Sequence, residues 1–204
     1  MRRFYGTMAA ALALGAAAPA SADTVCEWMD LANRLGAAAQ ASPAGQTPEQ
    51  MRAATRTALA MFEALNAIDR RYHSYLGFEA AGQGASQEAA AATAAYKVLV
   101  QHYPAQKTAL DDSYALAMAG IPDERAREAG RALGEKAASA AAAKGGIDPS
   151  IPQEPYRPRT VPGEWIGASL PSLEPHWVAF RPWAIPSVEA LRPPPPVALN
   201  SERW

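Results

Sequence analysis

Three histidines, one cysteine and a few paired acids are where chemistry would have to start in this chain of 204 residues. His73 follows Arg70, Arg71 and Tyr72, His102 precedes Tyr103-Pro104 near a predicted helix end, and His176 lies among prolines. A divalent metal needs imidazole, thiolate or carboxylate partners at ligand spacing, and none of the three histidines has one nearby, so no metal site is predicted. Asp111-Asp112 and Asp123-Glu124 fall in the predicted first turns of helices, where capping and the helix dipole account for acidic side chains without catalysis. Asp69-Arg70-Arg71 reads as a polar helix face placed to dock the next loop. There is no glycine-rich phosphate loop, no nucleophile elbow and no H-E-x-x-H pattern. The single cysteine, Cys26, has no partner in the chain for a disulfide. It is predicted to sit as a small apolar side chain on a packed helix face, with pairing to another chain as the alternative.

The N-terminus suggests where such a chain would work. Met1-Arg2-Arg3 is followed by an apolar run, Met8 to Ala18, and then by Pro19-Ala20-Ser21-Ala22-Asp23. A positive flank, a short apolar stretch and small residues at Ala20 and Ala22 are the order a secretory signal requires. Residues 1–22 are therefore expected to be a signal peptide, and the chain periplasmic or secreted. Cleavage after Ala22 would remove two arginines and shift the formal charge from −1 to −3. No apolar run is long enough to span a membrane. Charges are balanced, with 19 Lys and Arg against 20 Asp and Glu, and no basic cluster offers a footprint for nucleic acid.

The elements that would position these side chains are helical. A first helix is predicted over about 24–40, with Val25, Trp28, Leu31 and Leu35 on one face. A second starts at Thr47, Pro48 and Gln50, a capping box with proline at the first position. Its apolar face reads Met51, Ala54, Ala58, Met61, Phe62, Leu65, Ile68, Tyr72 and Tyr75, ending near Leu76-Gly77. Gly82, Gly84 and Ser86 break the pattern, with Ser86 as N-cap of a third helix that ends at Pro104. A fourth runs from about Ala105, with Leu110, Tyr114, Leu116 and Met118, to Gly120. Pro122, Asp123 and Glu124 open a fifth, which runs to Lys144 and Gly145-Gly146. Its small side chains, with Gly130, Gly134 and the Ala137–Ala143 stretch, allow close helix approach. The larger side chains of the second helix are expected to fill the space opposite. The fold predicted is all-α: a bundle of about five helices over 23–146, with the second helix central.

Over 147–204 the character changes. Thirteen of the 18 prolines fall here, ending in the run Pro193–Pro196. Proline removes backbone donors and excludes long helices and central strands. Disordered tails are poor in aromatic residues, yet this one carries Tyr156, Trp165, Trp177, Phe180, Trp183 and Trp204. The segment is read as an extended arm that lays its rings on an apolar surface, either its own bundle or a partner. Tyr156, Trp165, Trp177 and Trp183 are its candidate docking residues.

One stretch has a familiar pattern. Ala64-Leu65-Asn66-Ala67-Ile68-Asp69-Arg70-Arg71-Tyr72-His73-Ser74-Tyr75-Leu76 resembles the N-terminal helical region of bacterial vanadium-dependent haloperoxidases, within the wider group of type 2 phosphatidic acid phosphatase-like proteins. Gly84 to Ala90, Tyr103-Pro104-Ala105-Gln106 and Ala119-Gly120-Ile121-Pro122-Asp123 are similar to the same family. In the arm, Tyr156-Arg157-Pro158, Pro162-Gly163-Glu164-Trp165, Pro175-His176-Trp177, Arg181-Pro182-Trp183 and Leu191-Arg192 before the proline run occur in its order.

The resemblance implies catalytic residues that follow such an arm: a lysine close before Arg-Pro, a Pro-Ser-Gly-His segment, and a later arginine and histidine. In the family these bind vanadate or phosphate. Arg157-Pro158, Arg181-Pro182 and Arg192-Pro193 have no lysine at the needed distance, and Pro149-Ser150, Pro171-Ser172 and Pro186-Ser187 are not followed by Gly-His. No catalytic, cofactor or metal residue is carried over. The expectation is an exported, non-catalytic N-terminal portion without its catalytic half, inactive on its own. Vanadate or phosphate would then be bound only where that half is supplied. Its expected partner is the catalytic half, a second helical bundle, or another copy of itself. The alternative is a free-standing periplasmic binding module that recognises through its aromatic arm.

Overall fold

The computed structural model describes residues 20–40, 48–81, 84–148, 150–151, 157, 159–162, 164–166, 177, 179–197 and 199–202. The architecture is all-α, as the periodicity predicts. Among the described residues five helices follow in order: α1 Ala20–Gln40, α2 Pro48–Ile68, α3 Gln87–His102, α4 Lys107–Ala119 and α5 Glu124–Ala143. Short 3-10 turns occur at Pro104–Gln106 and Glu189–Leu191. The only β pairing among the described residues is an isolated antiparallel bridge between Ile147 and Phe180. No helix among them is long and apolar enough to cross a membrane.

Local chemistry explains the starts and stops. Ser86 caps α3 by accepting the amide of Ala89 at 3.1 Å, and Asp123 caps α5 by accepting that of Ala126 at 3.0 Å. Pro104 lies just beyond α3, and Gly120 follows α4. α1 begins at Ala20 and so runs through the expected cleavage point after Ala22. Thr47, half of the predicted capping box, lies outside the described residues.

Four expectations are corrected. First, α2 ends at Ile68, not near Leu76, because side chains of its last turns capture the backbone that follows. Asn66 Oδ1 accepts the amides of Arg71 and Tyr72 at 3.2 and 3.0 Å, and Glu63 accepts that of Leu76 at 2.8 Å. Gly77 then takes a φ of 77°, a left-handed turn that glycine adopts without strain. Tyr72 and Tyr75, predicted on the helical apolar face, are exposed in this loop, and Met51 is exposed as well.

Second, α3 rather than α2 is the central helix, packing against each of the other four. Its residues Ala89 to Ala95 are all buried, so it is apolar around most of its circumference and admits neighbours on every side. Third, the glycines of α5 meet α3 and not bulky side chains of α2. A methyl group placed on Gly134 would lie 2.5 Å from the Ala90 carbonyl oxygen, and one on Gly130 would strike the Ser86 carbonyl and Ala89.

Fourth, Cys26 is exposed. The buried face of α1 carries Trp28, Ala32 and Leu35, and at about 100° per residue Cys26 falls well off it. The core joins these residues to Met61, Val98, Leu99 and Leu110 and to alanines of α2, α3 and α5.

Candidate functional site

Two groups of side chains organise the surface around α2. The first staples the loop after it. Glu63 is fully buried, and its carboxyl oxygens accept from the Ser74 hydroxyl at 2.6 Å and from the Leu76 amide. Ser74 Oγ in turn accepts the Phe78 amide at 2.7 Å, and Arg70 donates to the Phe78 carbonyl at 2.5 Å. Asn66 donates to the Tyr72 carbonyl at 2.9 Å while accepting the two loop amides. A buried carboxyl is costly unless each lone pair is met, and here both oxygens are bonded. Of Asp69-Arg70-Arg71, expected as a docking helix face, all three lie beyond the helix end, the Arg70 side chain docks the loop, and Asp69 and Arg71 pair with each other. Beside it, Phe62, Leu65 and Tyr72 line a shallow cleft of about 240 Å³, with Asp69 and Arg71 paired at 2.7 Å on its rim.

The second group receives the arm. After α5 the chain turns at Gly145, with φ 66°, and residues 146–148 run antiparallel to 179–181. The Asp148 amide donates to the Ala179 carbonyl at 2.6 Å, and the Arg181 amide to the Gly146 carbonyl at 2.9 Å. Arg52 of α2 reaches over this strip. Its guanidinium stands 5.2 Å from the Phe180 ring centre and 4.7 Å from that of Trp183, and donates to the Arg181 carbonyl at 3.1 Å. Cation–π contacts of this kind hold aromatic rings in a fixed place. The Tyr75 hydroxyl donates to the Trp183 carbonyl. Asp148 sits 3.7 Å from Arg181, and its carboxyl is held below the ordinary aspartate range, chiefly by the Ser150 hydroxyl and amide that donate to it.

The arm's rings thus divide. Trp183 is half-buried and Phe180 buried on the chain's own bundle, whereas Trp165 and Trp177 are 65% and 42% exposed. Trp177 leans on Phe180, with ring centres 5.5 Å apart. Tyr156 lies outside the described residues, as does His176. Nothing in the sequence marked Arg52 as the arm's receptor, since it lies 129 residues from its carbonyl partner.

The remaining histidines are separated. His73 is exposed in the stapled loop. His102 accepts through Nε2 from Arg56 at 3.2 Å, because a guanidinium can only donate. Arg56 is buried and also donates to the Gly145 carbonyl at 3.3 Å, so it ties α2 to the end of α3 and the turn after α5. No group of His, Cys, Asp and Glu suited to a metal ion is present among the described residues.

Asp111 corrects a further expectation. It sits in the second turn of α4, where it bonds the Tyr96 hydroxyl at 2.7 Å and Lys107 at 2.6 Å instead of capping the helix. Lys107, and then Tyr96, hold its carboxyl below the usual range, while the bond to Asp111 raises the Tyr96 phenol. This joins α3 to α4, as does the stacking of Tyr96 on Tyr114 at 4.4 Å. No family model, curated protein or solved structure matches this chain.

Proposed function

We propose that this chain is an exported structural module, the N-terminal helical portion of a protein of the haloperoxidase and phosphatase-like type, whose work is docking and not catalysis. The observation that carries the reading is how the polar residues in and just before the family-like stretch, with Arg52 earlier in α2, are used. Glu63, Asn66, Arg70 and Ser74 all bond a loop to its helix, and Arg52 and Tyr75 hold the arm. Groups so committed stabilise a surface and are not available to a reacting oxyanion, which needs convergent donors aimed into an open site. Vanadate or phosphate chemistry would be carried by residues outside these 204.

The test is turnover. Purified chain supplied with vanadate, halide and peroxide, or with a chromogenic phosphate ester, is expected to give the chain-free rate. Saturable turnover that copurifies with the chain would overturn the proposal.

The exposure of Trp165 and Trp177 favours a second reading, a free-standing binding module that uses those rings for recognition. Such a module would melt in one cooperative step as a monomer. A portion built to dock on another bundle would instead self-associate through its uncovered apolar face.

A further inference from the structure

α1 and α4 both pack on α3 and barely touch each other. Between them runs an open groove of about 480 Å³, walled by Trp28 and Leu31 of α1 and by Leu116 and Ala117 of α4. Leu116 is 78% exposed, more than any other large apolar side chain among the described residues. Glu27 and Arg34 stand on the rim of the same groove, both exposed, and neither has an ion-pair partner among the described residues. Elsewhere on the bundle Arg131 is paired within its own chain, with Glu128 and Glu135.

We propose that this groove is the interface of a two-fold homodimer, the proposal resting on the docking-module reading and naming its partner as a second copy. The spacing carries the argument. Glu27 and Arg34 are seven residues apart, close to two turns, so they lie on one side of α1 about 10.5 Å apart along the axis. Leu31 lies between them. A two-fold axis requires that a surface complement itself, each residue i meeting j while j meets i. Antiparallel packing of α1 on its copy about an axis between residues 30 and 31 places Glu27 opposite the copy's Arg34, and Arg34 opposite the copy's Glu27. It sets the two Leu31 side chains near the axis. It also brings Leu116 of each subunit toward the apolar groove of the other. A separate helix from another protein could fill the groove as well, but it would have to bring its own matching charges. The second copy already has them.

The test is sedimentation velocity over a concentration series, in a Cys26→Ser background so that no disulfide contributes. A reversible dimer is expected. Leu116→Asp, at an exposed site that tolerates it, should weaken association at least ten-fold with helicity unchanged. Glu27→Arg alone sets arginine against arginine twice per dimer and should weaken association roughly ten-fold. The double change Glu27→Arg with Arg34→Glu should restore most of it. A folded chain that stays monomeric at high concentration overturns the proposal, as does a dimer indifferent to Leu116→Asp or a charge swap that fails to rescue. A dimer that ignores these changes leaves the docking-module reading standing with a different contact face, a folded monomer favours the free-standing module instead, and turnover in the assay above would sink the docking reading and leave the dimer untouched.

Discussion

Replacing Gly134 with alanine puts the close packing of α3 on α5 to a quantitative test. On an open helix surface the change would stabilise by about 1 kcal/mol, since alanine is the better helix former. Here the new methyl group would lie 2.5 Å from the Ala90 carbonyl oxygen, 2.7 Å from the Thr93 β-carbon and 2.9 Å from the Ala94 nitrogen. Ordinary contact begins near 3.4 Å, so the helices must part by about 0.9 Å. Two of the three obstacles are backbone atoms, which no rotamer change can move. Forcing a methyl group into a packed core costs about 1–3 kcal/mol, and here the obstacles cannot yield, so the upper end applies. After the propensity gain, a net loss of about 2 kcal/mol remains. For a bundle of this size that lowers the melting temperature by roughly 6–10 °C. Circular dichroism at 222 nm measures it. Gly120→Ala is the control, because its new methyl group would meet nothing nearer than 3.5 Å, and it should melt at or slightly above the parent. A Gly134→Ala chain as stable as the control would refute the close approach.

Three further perturbations follow from the same contacts. Arg52→Ala removes two ring contacts and a charged hydrogen bond, together worth about 2 kcal/mol or roughly a 30-fold shift toward a released arm. Hydrogen exchange at the Asp148 and Arg181 amides should accelerate while the core of α3 is unaffected, and equal protection in both chains would count against docking. Glu63→Ala leaves the Ser74 hydroxyl and Leu76 amide without their acceptor, and should cost about 3 kcal/mol in a urea melt with early exchange at Leu76. Glu135 is held below the ordinary glutamate range, first by the bond from Lys97 and then by Arg131. Its contribution is therefore complete above that range and is lost as the pH falls through the lowered value. The melting temperature of Glu135→Gln should then depend less on pH in acid than that of the parent, and parallel curves would show that the pairing contributes nothing.

The features legible in the sequence were those set by local chemistry. Ser86 and Asp123 announce helix starts because a capping side chain bonds amides two or three residues away. Pro104 and Gly120 mark stops for equally local reasons. The end of α2 was not legible. Tyr72 and Tyr75 continue the helical spacing of apolar residues, and only the reach of Glu63 and Asn66 across the turn breaks the helix before them. The central position of α3 was hidden because large side chains draw the eye to α2, while the close packing of α3 is made by alanines such as Ala90, Ala91, Ala94 and Ala95, fully buried between helices. Within the arm the importance of aromatic rings could be read, and Trp183 does lie on the bundle. The receptor could not, since Arg52 joins Phe180 and Trp183 only through the turn at Gly145.

On the docking reading, the described polar side chains are spent on the chain's own loops and arm, and an oxyanion should find no site. Vanadium nuclear magnetic resonance tests it directly, with vanadate titrated against the purified chain at neutral pH. A vanadate signal with unchanged shift and width at every chain concentration is expected. A bound signal that saturates, and that excess phosphate displaces, would contradict it.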